Sequence, residues 1–293
     1  MPPTRPEPSS STPAPSASPP FPFVVGCGRS GTTLLRAMLD SHPEMAVPPE
    51  SYFVAELAGS WAGGAPFSWD DYLAALSAHD RFRRWGLPAD ALHPEDPADA
   101  PRTFAGAVRH TFAAYARARS KPRYGDKTPR YVENVELLAG LFSEARFVHV
   151  IRDGRDVALS FLDREWGPKT IEEAAKRWRK RVRAGRRAAA ALAPGRYLEV
   201  RYESLVDDPE TELRRVCALA ELDPAPEMLR YFERADDVIA GTKYPGQHAA
   251  IAAPPKRGLR DWRSTMSRTE VEEFEATAGG LLAELGYERT TGG

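Results

Sequence analysis

The stretch FVVGCGRSGTTLLRAML, residues 23–39, decides the fold. An apolar run opens it, a glycine-rich segment follows, and leucines at helical spacing close it, so we predict a strand, a loop and a helix. Backbone N–H groups at such a helix N-terminus bind anions. Residues 26–33 have the P-loop spacing G-x-x-x-x-G-T-T, but Thr32 stands where ATP-binding loops have a lysine.

Further strand–loop–helix units follow this one. A second unit spans residues 123–142 with the loop DKTP at 126–129, and a third joins a buried strand at 147–151 to a helix at 155–163. Alternating strands and helices predict a parallel sheet with helices on both faces, so the expected fold is a single α/β domain of the P-loop type. The other predicted elements are a strand at 197–202 and helices at 171–192, 209–220, 226–234 and 269–285.

The composition is typical of a soluble globular protein, with 42% hydrophobic and 28% charged residues. A formal net charge of −1 over 293 residues argues against a dedicated nucleic-acid or membrane-surface binder. No apolar stretch is long enough to span a bilayer, and two cysteines give no disulfide framework. We therefore expect a cytoplasmic protein with no nucleic-acid partner and no membrane span.

The chain divides into a short tail and one long domain. Residues 1–20 consist mainly of Pro, Ser, Thr and Ala and lack the apolar core of a signal peptide. Such a segment cannot bury enough apolar surface to fold, so we expect a disordered tail. Residues 21–288 should form the α/β domain, in which residues 61–120 are a mostly helical insertion on the acceptor side.

The glycine-rich loop offers several donors to an anion. Ser30, Thr32 and Thr33 add hydroxyls to the backbone N–H groups, and the Arg29 guanidinium can clamp an oxyanion with two donors. Without the lysine that binds the outer phosphates of ATP, the loop suits a single tetrahedral group or a 5′-phosphate. An ordinary glycine turn is the alternative. Cys27 is expected to pack rather than react, because no partner base lies near it in sequence.

A second anion site is predicted at the end of the buried strand 147–151. Arg152 follows that strand at the edge where open α/β sheets bind ligands, and Ser160 lies two helical turns onward. Arg155 and Asp156 could instead form a structural salt-bridge turn. Two anion sites at two strand ends suggest a nucleotide with phosphates at two positions.

The segments GCGRSGTTLLRAMLDSHPE and FVHVIRDGRDVALS together resemble the two signature regions of the sulfotransferases that use 3′-phosphoadenosine 5′-phosphosulfate (PAPS). The resemblance is greatest to the branch with tyrosylprotein sulfotransferases and bacterial small-molecule relatives, and in motif order it covers most of residues 22–205. It implies PAPS as the sulfate donor and no metal. The implied contacts are Arg29, Ser30, Gly31, Thr32 and Thr33 on the 5′ side, and Arg152 and Ser160 at the 3′-phosphate.

Three weaker matches extend the resemblance. Lys127 in GDKTP is similar to the family's lysine near the bridging oxygen, and Tyr202 in VRYESL is similar to a tyrosine that lines the nucleotide site. A third match resembles the family's C-terminal element over the 3′-phosphate. It consists of Lys256, Arg257 and Gly258, followed by Asp261-Trp262. The segment 241–258 is rich in glycine and proline, which suits either a mobile lid or an ordinary surface loop.

Sulfuryl transfer needs cations at the leaving nucleotide and benefits from a base at the acceptor hydroxyl. Arg29 and Lys127 can supply the charge, and Glu50 in AVPPESYF is the candidate base. The tyrosylprotein branch has a similarly placed glutamate, although its pattern has two adjacent glutamates where this chain has Pro49-Glu50. Glu50 could instead be an N-terminal charge on the helix that follows, and His42 is the competing base.

The sequence thus predicts a PAPS-dependent sulfotransferase that acts on a hydroxyl of a small molecule or secondary metabolite by in-line displacement. The alternatives are a small-molecule kinase with an atypical P-loop, against which the missing lysine counts, and a non-catalytic nucleotide-binding protein. The basic run KRWRKR at 176–181 is expected to be a solvated helix face, with binding of an anionic acceptor as the other use.

Overall fold

A computed structural model describes residues 18–64, 66–240, 251–255 and 261–290. The strands are β1 (Phe21–Gly26), β2 (Met45–Ala46), β3 (Arg123–Tyr124), β4 (Asp126–Lys127), β5 (Ala145–Ile151) and β6 (Tyr197–Arg201). The α-helices are α1 (Thr32–Asp40), α2 (Phe53–Ala58), α3 (Trp69–Ala78), α4 (Asp80–Arg83), α5 (Phe104–Arg117), α6 (Val135–Leu141), α7 (Gly154–Leu162), α8 (Ile171–Ala190), α9 (Tyr202–Asp207), α10 (Pro209–Ala220), α11 (Ala235–Ala240), α12 (Trp262–Thr265) and α13 (Arg268–Glu284). The 3₁₀ segments are Gly59–Gly64, Ala89–Leu92, Pro97–Asp99, Pro129–Glu133 and Pro226–Arg234. None of these described helices has the length and apolar character needed to cross a membrane.

The main sheet has four parallel strands in the order β4-β1-β5-β6, and β2 and β3 form a separate parallel pair. Successive side chains on a strand point to opposite faces, so β1 contributes apolar side chains to the core on both faces of the sheet. Phe21, Phe23 and Val25 pack with α5 and α6, while Val24 packs with α1 and α10. Because β1 and β5 run parallel in register, the loops that follow them leave the sheet at the same edge.

A third apolar cluster fixes the start of α7 against α8 and α13. Trp178 of α8 and Phe274 of α13 are fully buried, with ring centroids 5.8 Å apart. A Cβ at Gly154 would lie 2.5 Å from the Phe274 ring and 2.6 Å from the Trp178 indole. A glycine is therefore needed where α7 begins, and its close packing holds the turn after β5 in place.

The predicted α/β fold with a parallel sheet is confirmed, and the helices α8, α10 and α13 lie within about two residues of their predicted ranges. The loop predicted at 126–129 is partly wrong, since Asp126 and Lys127 form β4 beside Phe23 and Val24. Pairing with β1 makes this strand, and no local apolar pattern announces it. The helix predicted at 226–234 is 3₁₀ rather than α, and it leaves helical geometry at Arg230.

The aromatic residues of the region 61–120 build core rather than an open pocket. Trp61 stacks on Phe104 at a centroid distance of 5.3 Å, and Tyr72 lies beside both. The buried Tyr72 hydroxyl bonds with Oγ1 of Thr111 at 2.8 Å. Helices α3, α4 and α5 supply most of this cluster, and it joins the core on the β1 side.

Candidate functional site

The loop after β1 turns sharply to begin α1. Gly31 precedes α1 with a φ of 93°, and Arg29 also lies in the left-handed region, with a φ of 72°. A Cβ at Gly31 would lie 2.2 Å from Cδ2 of Tyr202, so glycine is required for Tyr202 to lie against the loop. The Ser30 hydroxyl is buried and has no hydrogen-bond partner among the described residues. An open, buried donor beside a helix N-terminus fits an oxyanion ligand.

The two predicted anion sites form one continuous cluster. Arg29 Nε donates to Oγ of Ser160 at 2.9 Å, which links the loop to α7. The Arg152 guanidinium lies 4.4 Å from the centre of the Tyr202 ring, and this ring packs on Gly31. Ser160, predicted to serve the 3′ side with Arg152, is thus bonded to the arginine of the other site.

Asp156 holds Arg152 in position. Nη2 of Arg152 donates to Oδ2 of Asp156 at 3.0 Å, one helical turn away. Oδ1 of Asp156 accepts the backbone N–H of Trp262 at 2.9 Å. Burial raises the pKa of Asp156 above its ordinary value, and the Arg152 charge opposes that rise. Asp156 is therefore a positioning residue for Arg152, a role that goes beyond the salt-bridge turn offered by the sequence.

Arg155 is structural, as the alternative reading of the sequence allowed. It is fully buried and donates to both carboxylate oxygens of Asp153 at 3.0 and 2.8 Å and to Glu275 of α13 at 2.9 Å. Its guanidinium stacks on the Trp262 ring at 3.5 Å, and Trp262 Nε1 donates to Asp153 Oδ2 at 3.1 Å. This network ties α7, α12 and α13 together beside the predicted second anion site.

The third weaker match, the C-terminal element, lies only partly within the described residues. Lys256, Arg257 and Gly258 lie outside them, as do residues 241–250, so their predicted roles stay predictions. Asp261 caps α12 through its side chain. The Asp261-Trp262 pair thereby anchors the chain next to Arg152.

Lys127 and Glu50 form an ion pair beside the phosphate loop. Lys127 Nζ lies 2.8 Å from Oε1 of Glu50 and donates to Oγ1 of Thr33 at 3.5 Å. Lys127 reaches this point because β4 pairs with β1, where its Cα lies opposite Val24. Burial lowers the pKa of Lys127, and the Glu50 carboxylate partly offsets that effect. The predicted base and the predicted cation are thus in direct contact.

The Glu50 side chain has neighbours that the sequence did not indicate. Its Oε2 lies 3.8 Å from Nη1 of Arg81 on α4, and the Arg81 guanidinium stacks on the Tyr52 ring at 4.4 Å. Burial and the Glu50 charge raise the pKa of Tyr52 to about 12. Arg81 lies far from Glu50 in sequence and matches no motif, so only the fold brings it to the site.

A buried carboxyl group, that of Asp126, lies beneath the Lys127–Glu50 ion pair. Asp126 is fully buried next to Lys127, and burial raises its pKa to about 7. Its Oδ2 accepts the Thr128 hydroxyl at 3.4 Å. Thr128 Oγ1 in turn accepts the backbone N–H of Ser51 at 3.0 Å. These bonds fix the turn that carries Glu50, and Asp126 escaped sequence reasoning because it lies in the segment predicted as a loop.

His42 and Cys27 take structural places. His42 is buried, its Nδ1 accepts the backbone N–H of Glu44 at 3.0 Å, and its Nε2 bonds with the Asp223 carbonyl at 2.8 Å. Both ring nitrogens of His42 are thus engaged in hydrogen bonds to the backbone. Burial raises the pKa of the Cys27 thiol to about 11, which makes a thiolate unfavourable.

Within the described ranges, no three His, Cys, Asp or Glu side chains gather as metal ligands would. Thr32, which stands at the position of the P-loop lysine, is the first residue of α1 and is buried. The site therefore presents guanidinium, ammonium, hydroxyl and backbone N–H donors around one carboxylate. Such a set can hold a multiply charged oxyanion and accept one proton.

Comparison with known sequences identifies relatives along most of the chain. A profile described as "Sulfotransferase family" matches residues 20–226. The nodulation protein NoeE of Sinorhizobium fredii (strain NBRC 101917 / NGR234) is 27% identical over 290 residues, which cover 92% of this chain and 66% of NoeE. Protein-tyrosine sulfotransferase A of Caenorhabditis elegans is 23% identical over 275 residues, which cover 92% of this chain and 67% of that protein. The match thus spans about two thirds of each relative.

Solved structures share the fold. The sulfotransferase domain from the curacin biosynthetic pathway is similar with a TM-score of 0.62 at 19% identity, over 94% of this chain and 100% of that domain. Sulfotransferase STF9 from Mycobacterium avium is similar with a TM-score of 0.53 at 17% identity, over 94% of this chain and 78% of that one. At these identities the likeness establishes the architecture and leaves the chemistry to the site itself.

Proposed function

This chain belongs to the sulfotransferase family, a family of transferase enzymes, and we propose that it transfers a sulfuryl group from PAPS to a hydroxyl of an acceptor. The observation that carries the proposal is the meeting of two anion sites at one tyrosine. Tyr202 packs on Gly31 of the phosphate loop and against the Arg152 guanidinium. A nucleotide with 5′ and 3′ phosphates could place one phosphate at the loop and the other at Arg152.

The donor is proposed to bind through residues that offer hydrogen-bond donors and positive charge. Arg29, Ser30 and the N-terminus of α1 would hold the 5′ side, and Arg152, oriented by Asp156, would hold the 3′-phosphate. The unpartnered, buried Ser30 hydroxyl supports this assignment. When bound, the donor supplies the activated sulfuryl group, and the chain binds, orients and neutralises it. The family resemblance adds Lys256, Arg257 and Gly258 at the 3′-phosphate.

Glu50 is the proposed base and Lys127 the proposed cation at the leaving oxygen. In the transfer, the acceptor oxygen bonds to sulfur, the bond from sulfur to the 5′-phosphate oxygen breaks, and negative charge moves to that phosphate. The acceptor proton passes to the Glu50 carboxylate. Lys127 lies within 2.8 Å of Glu50 and 3.5 Å of Thr33, so one ammonium group adjoins both the base and the phosphate loop.

The acceptor is proposed to be a small molecule with a free hydroxyl. Peptide tyrosine is the second candidate, because several relatives are named protein-tyrosine sulfotransferases. A kinase with an atypical P-loop would need ATP and Mg²⁺, and Thr32 lacks the ammonium group that such a loop uses on the outer phosphates. A nucleotide-binding protein without turnover is the remaining alternative.

A thermal-stability measurement distinguishes these functions. Adenosine 3′,5′-bisphosphate (PAP), added in the presence of EDTA, should stabilise the protein by about 2.7 kcal/mol at one hundred times its Kd. Stabilisation by ATP with Mg²⁺ alone would favour the kinase and contradict the proposal. Transfer of labelled sulfate from PAPS to an acceptor separates the enzyme from a binding protein, which would bind PAP without turnover.

A further inference from the structure

A strongly basic cavity lies beside the phosphate loop. Its volume is about 450 Å³, and its lining residues are Arg130, Glu133, Lys176, Arg177, Lys180 and Arg181. Arg181 Nη1 lies 3.9 Å from the place that a Cβ at Gly28 would occupy, and the Phe161 ring lies 3.7 Å from it. The Arg177 guanidinium lies over that Phe161 ring at 5.4 Å. The cavity therefore borders the proposed donor site.

The charges of the cavity do not balance. Five lining side chains are cations and Glu133 is the one carboxylate among them, while Lys176 also pairs at 2.7 Å with Glu172 outside the lining. Arg130, Lys180 and Arg181 share Glu133 at 4.0, 2.7 and 3.5 Å. Burial would raise the pKa of Glu133, but these cations outweigh it and hold the pKa below its ordinary value. In the described part of the chain, Arg177 has no carboxylate partner. An anion would complete this arrangement.

The stability of α8 does not explain why its basic residues cluster at the cavity. The buried face of α8 includes Ala174, Trp178 and Val182, and the cavity residues 176, 177, 180 and 181 form a separate stripe on it. This stripe places like charges four residues apart, as in the pair Arg177 and Arg181. Such pairs destabilise a helix by about 0.2–0.5 kcal/mol each, so a purely solvated face would benefit from alternating signs. The stripe instead concentrates positive charge where the 3₁₀ segment Pro129–Glu133 faces it.

The cavity also adjoins the proposed base. Burial and the Glu50 charge raise the pKa of Tyr52 to about 12, while the charges of Arg81, Arg181 and Arg130 oppose that rise. Tyr52 follows Glu50 closely in the chain and lies 6.5 Å from Tyr131 between ring centroids. The Tyr131 hydroxyl bonds with Oγ of Ser51 at 2.9 Å. The segment that carries Arg130 therefore contacts the turn that carries Glu50.

We propose that this cavity binds an anionic group of the acceptor, so that the acceptor is a small hydroxyl compound that also carries a phosphate, sulfate or carboxylate group. The inference rests on the proposed function, because it concerns the acceptor of the same site. A cavity of about 450 Å³ matches a ligand of small-molecule size. Its guanidinium and ammonium groups are the donors that such anions prefer.

The test is binding of inorganic phosphate to protein already saturated with PAP, which fills the proposed nucleotide site. The variant carries Arg177→Gln and Lys180→Gln, and the matched control carries Arg183→Gln and Arg187→Gln, which remove the same charge from α8 outside the cavity. We expect roughly tenfold weaker phosphate binding in the variant, because two charge-assisted contacts are lost. The control should stay within about twofold of the unmodified protein.

Each outcome of this experiment decides the question. No detectable phosphate binding by the unmodified protein, no loss in the variant, or an equal loss in the control would each overturn the inference. Stabilisation by PAP is measured on all three proteins, so a folding defect is recognised. If PAP fails to stabilise even the unmodified protein, the proposed function fails, whereas normal PAP binding without the phosphate effect overturns the acceptor site alone.

A second readout identifies the acceptor class in the full reaction. The protein is incubated with labelled PAPS and a metabolite extract, and the masses that gain sulfate are recorded. Products with a further phosphate, sulfate or carboxylate group, formed more slowly by the Arg177→Gln, Lys180→Gln variant than by the control, support the inference. Neutral products formed at equal rates by both, or acidic peptides as the sole products, contradict it.

Discussion

Two side chains, Glu50 and Lys127, meet at 2.8 Å beside the phosphate loop, and this contact concentrates the proposed chemistry at a single point. Lys127 is almost fully buried whereas the Glu50 side chain is 27% exposed. The carboxylate is therefore the member of the pair that an acceptor can reach from solvent. This geometry would let the proposed base and the proposed leaving-group cation share one small site.

Glu50→Gln should lower turnover by about 100-fold or more, because a positioned general base typically contributes that much. PAP affinity should change little, since the amide keeps the shape of the side chain. Turnover is measured with labelled PAPS and binding by calorimetry. Glu56→Gln is the matched control, because Glu56 is an exposed acid on α2 that pairs with His79. Unchanged turnover in Glu50→Gln would remove its role as base.

Asp126 makes the stability of the protein depend on pH. Its pKa is raised in the fold from the ordinary 3.8 to about 7 by burial, so between these values the folded state holds a proton that the unfolded state has lost. Stability should therefore fall as the pH rises through this window. Melting temperatures measured across this pH range should fall less in Asp126→Asn than in the unmodified protein. Parallel curves for both proteins would contradict the assignment.

At the scale of elements, the site depends on how α9 begins against the loop between β1 and α1. This loop and α1 could be predicted because glycine spacing and apolar periodicity are local signals. Neither β4 nor the place of Arg81 could be predicted, because β4 becomes a strand through pairing with β1 and Arg81 reaches Glu50 only through the packing of α4. Tyr202 was assigned to the nucleotide site by resemblance, and its contact with Gly31 supplies a physical reason for that assignment.

Gly31→Ala should weaken PAP binding roughly tenfold or more, because the new methyl group must displace Tyr202 and the loop donors with it. Gly86→Ala is the matched control, since Gly86 also has a positive φ, of 63°, but no atom near the added Cβ. Backbone strain should cost both variants about 1–3 kcal/mol of stability, and the contact with Tyr202 adds to the loss in Gly31→Ala. Calorimetry with PAP separates them, and equal PAP affinity in both would contradict the packing argument.

At the scale of the whole molecule, the parallel sheet brings the ends of β1 and β5 to one edge, and α12 and α13 fasten the far end of the chain to it. The sequence predicted both strand ends, because each depends on a short motif, and the two anion sites placed at these ends stay predictions. It did not predict that Arg29 and Ser160 would bond across 131 positions. Nor did it predict that Glu275 would hold Arg155. Such pairings depend on three-dimensional packing that no local pattern encodes.

Arg155→Ala should destabilise the protein by about 3–5 kcal/mol, because it leaves buried carboxylates without their cation. Urea denaturation measures this loss. Arg214→Ala is the control, since Arg214 forms an exposed pair with Glu210 on α10, and such pairs contribute about 0–1 kcal/mol. A loss in Arg155→Ala no larger than in the control would contradict the structural role of Arg155.

The most direct test of a site built for two phosphates is a comparison of PAP with adenosine 5′-monophosphate, which lacks the 3′-phosphate. Calorimetry on the unmodified protein should give a Kd for PAP at least about tenfold lower, because hydrogen bonds to a charged group contribute about 1.5–3 kcal/mol. Arg152→Gln should remove most of that difference. Equal affinities for the two nucleotides, or an unchanged ratio in Arg152→Gln, would contradict the central claim.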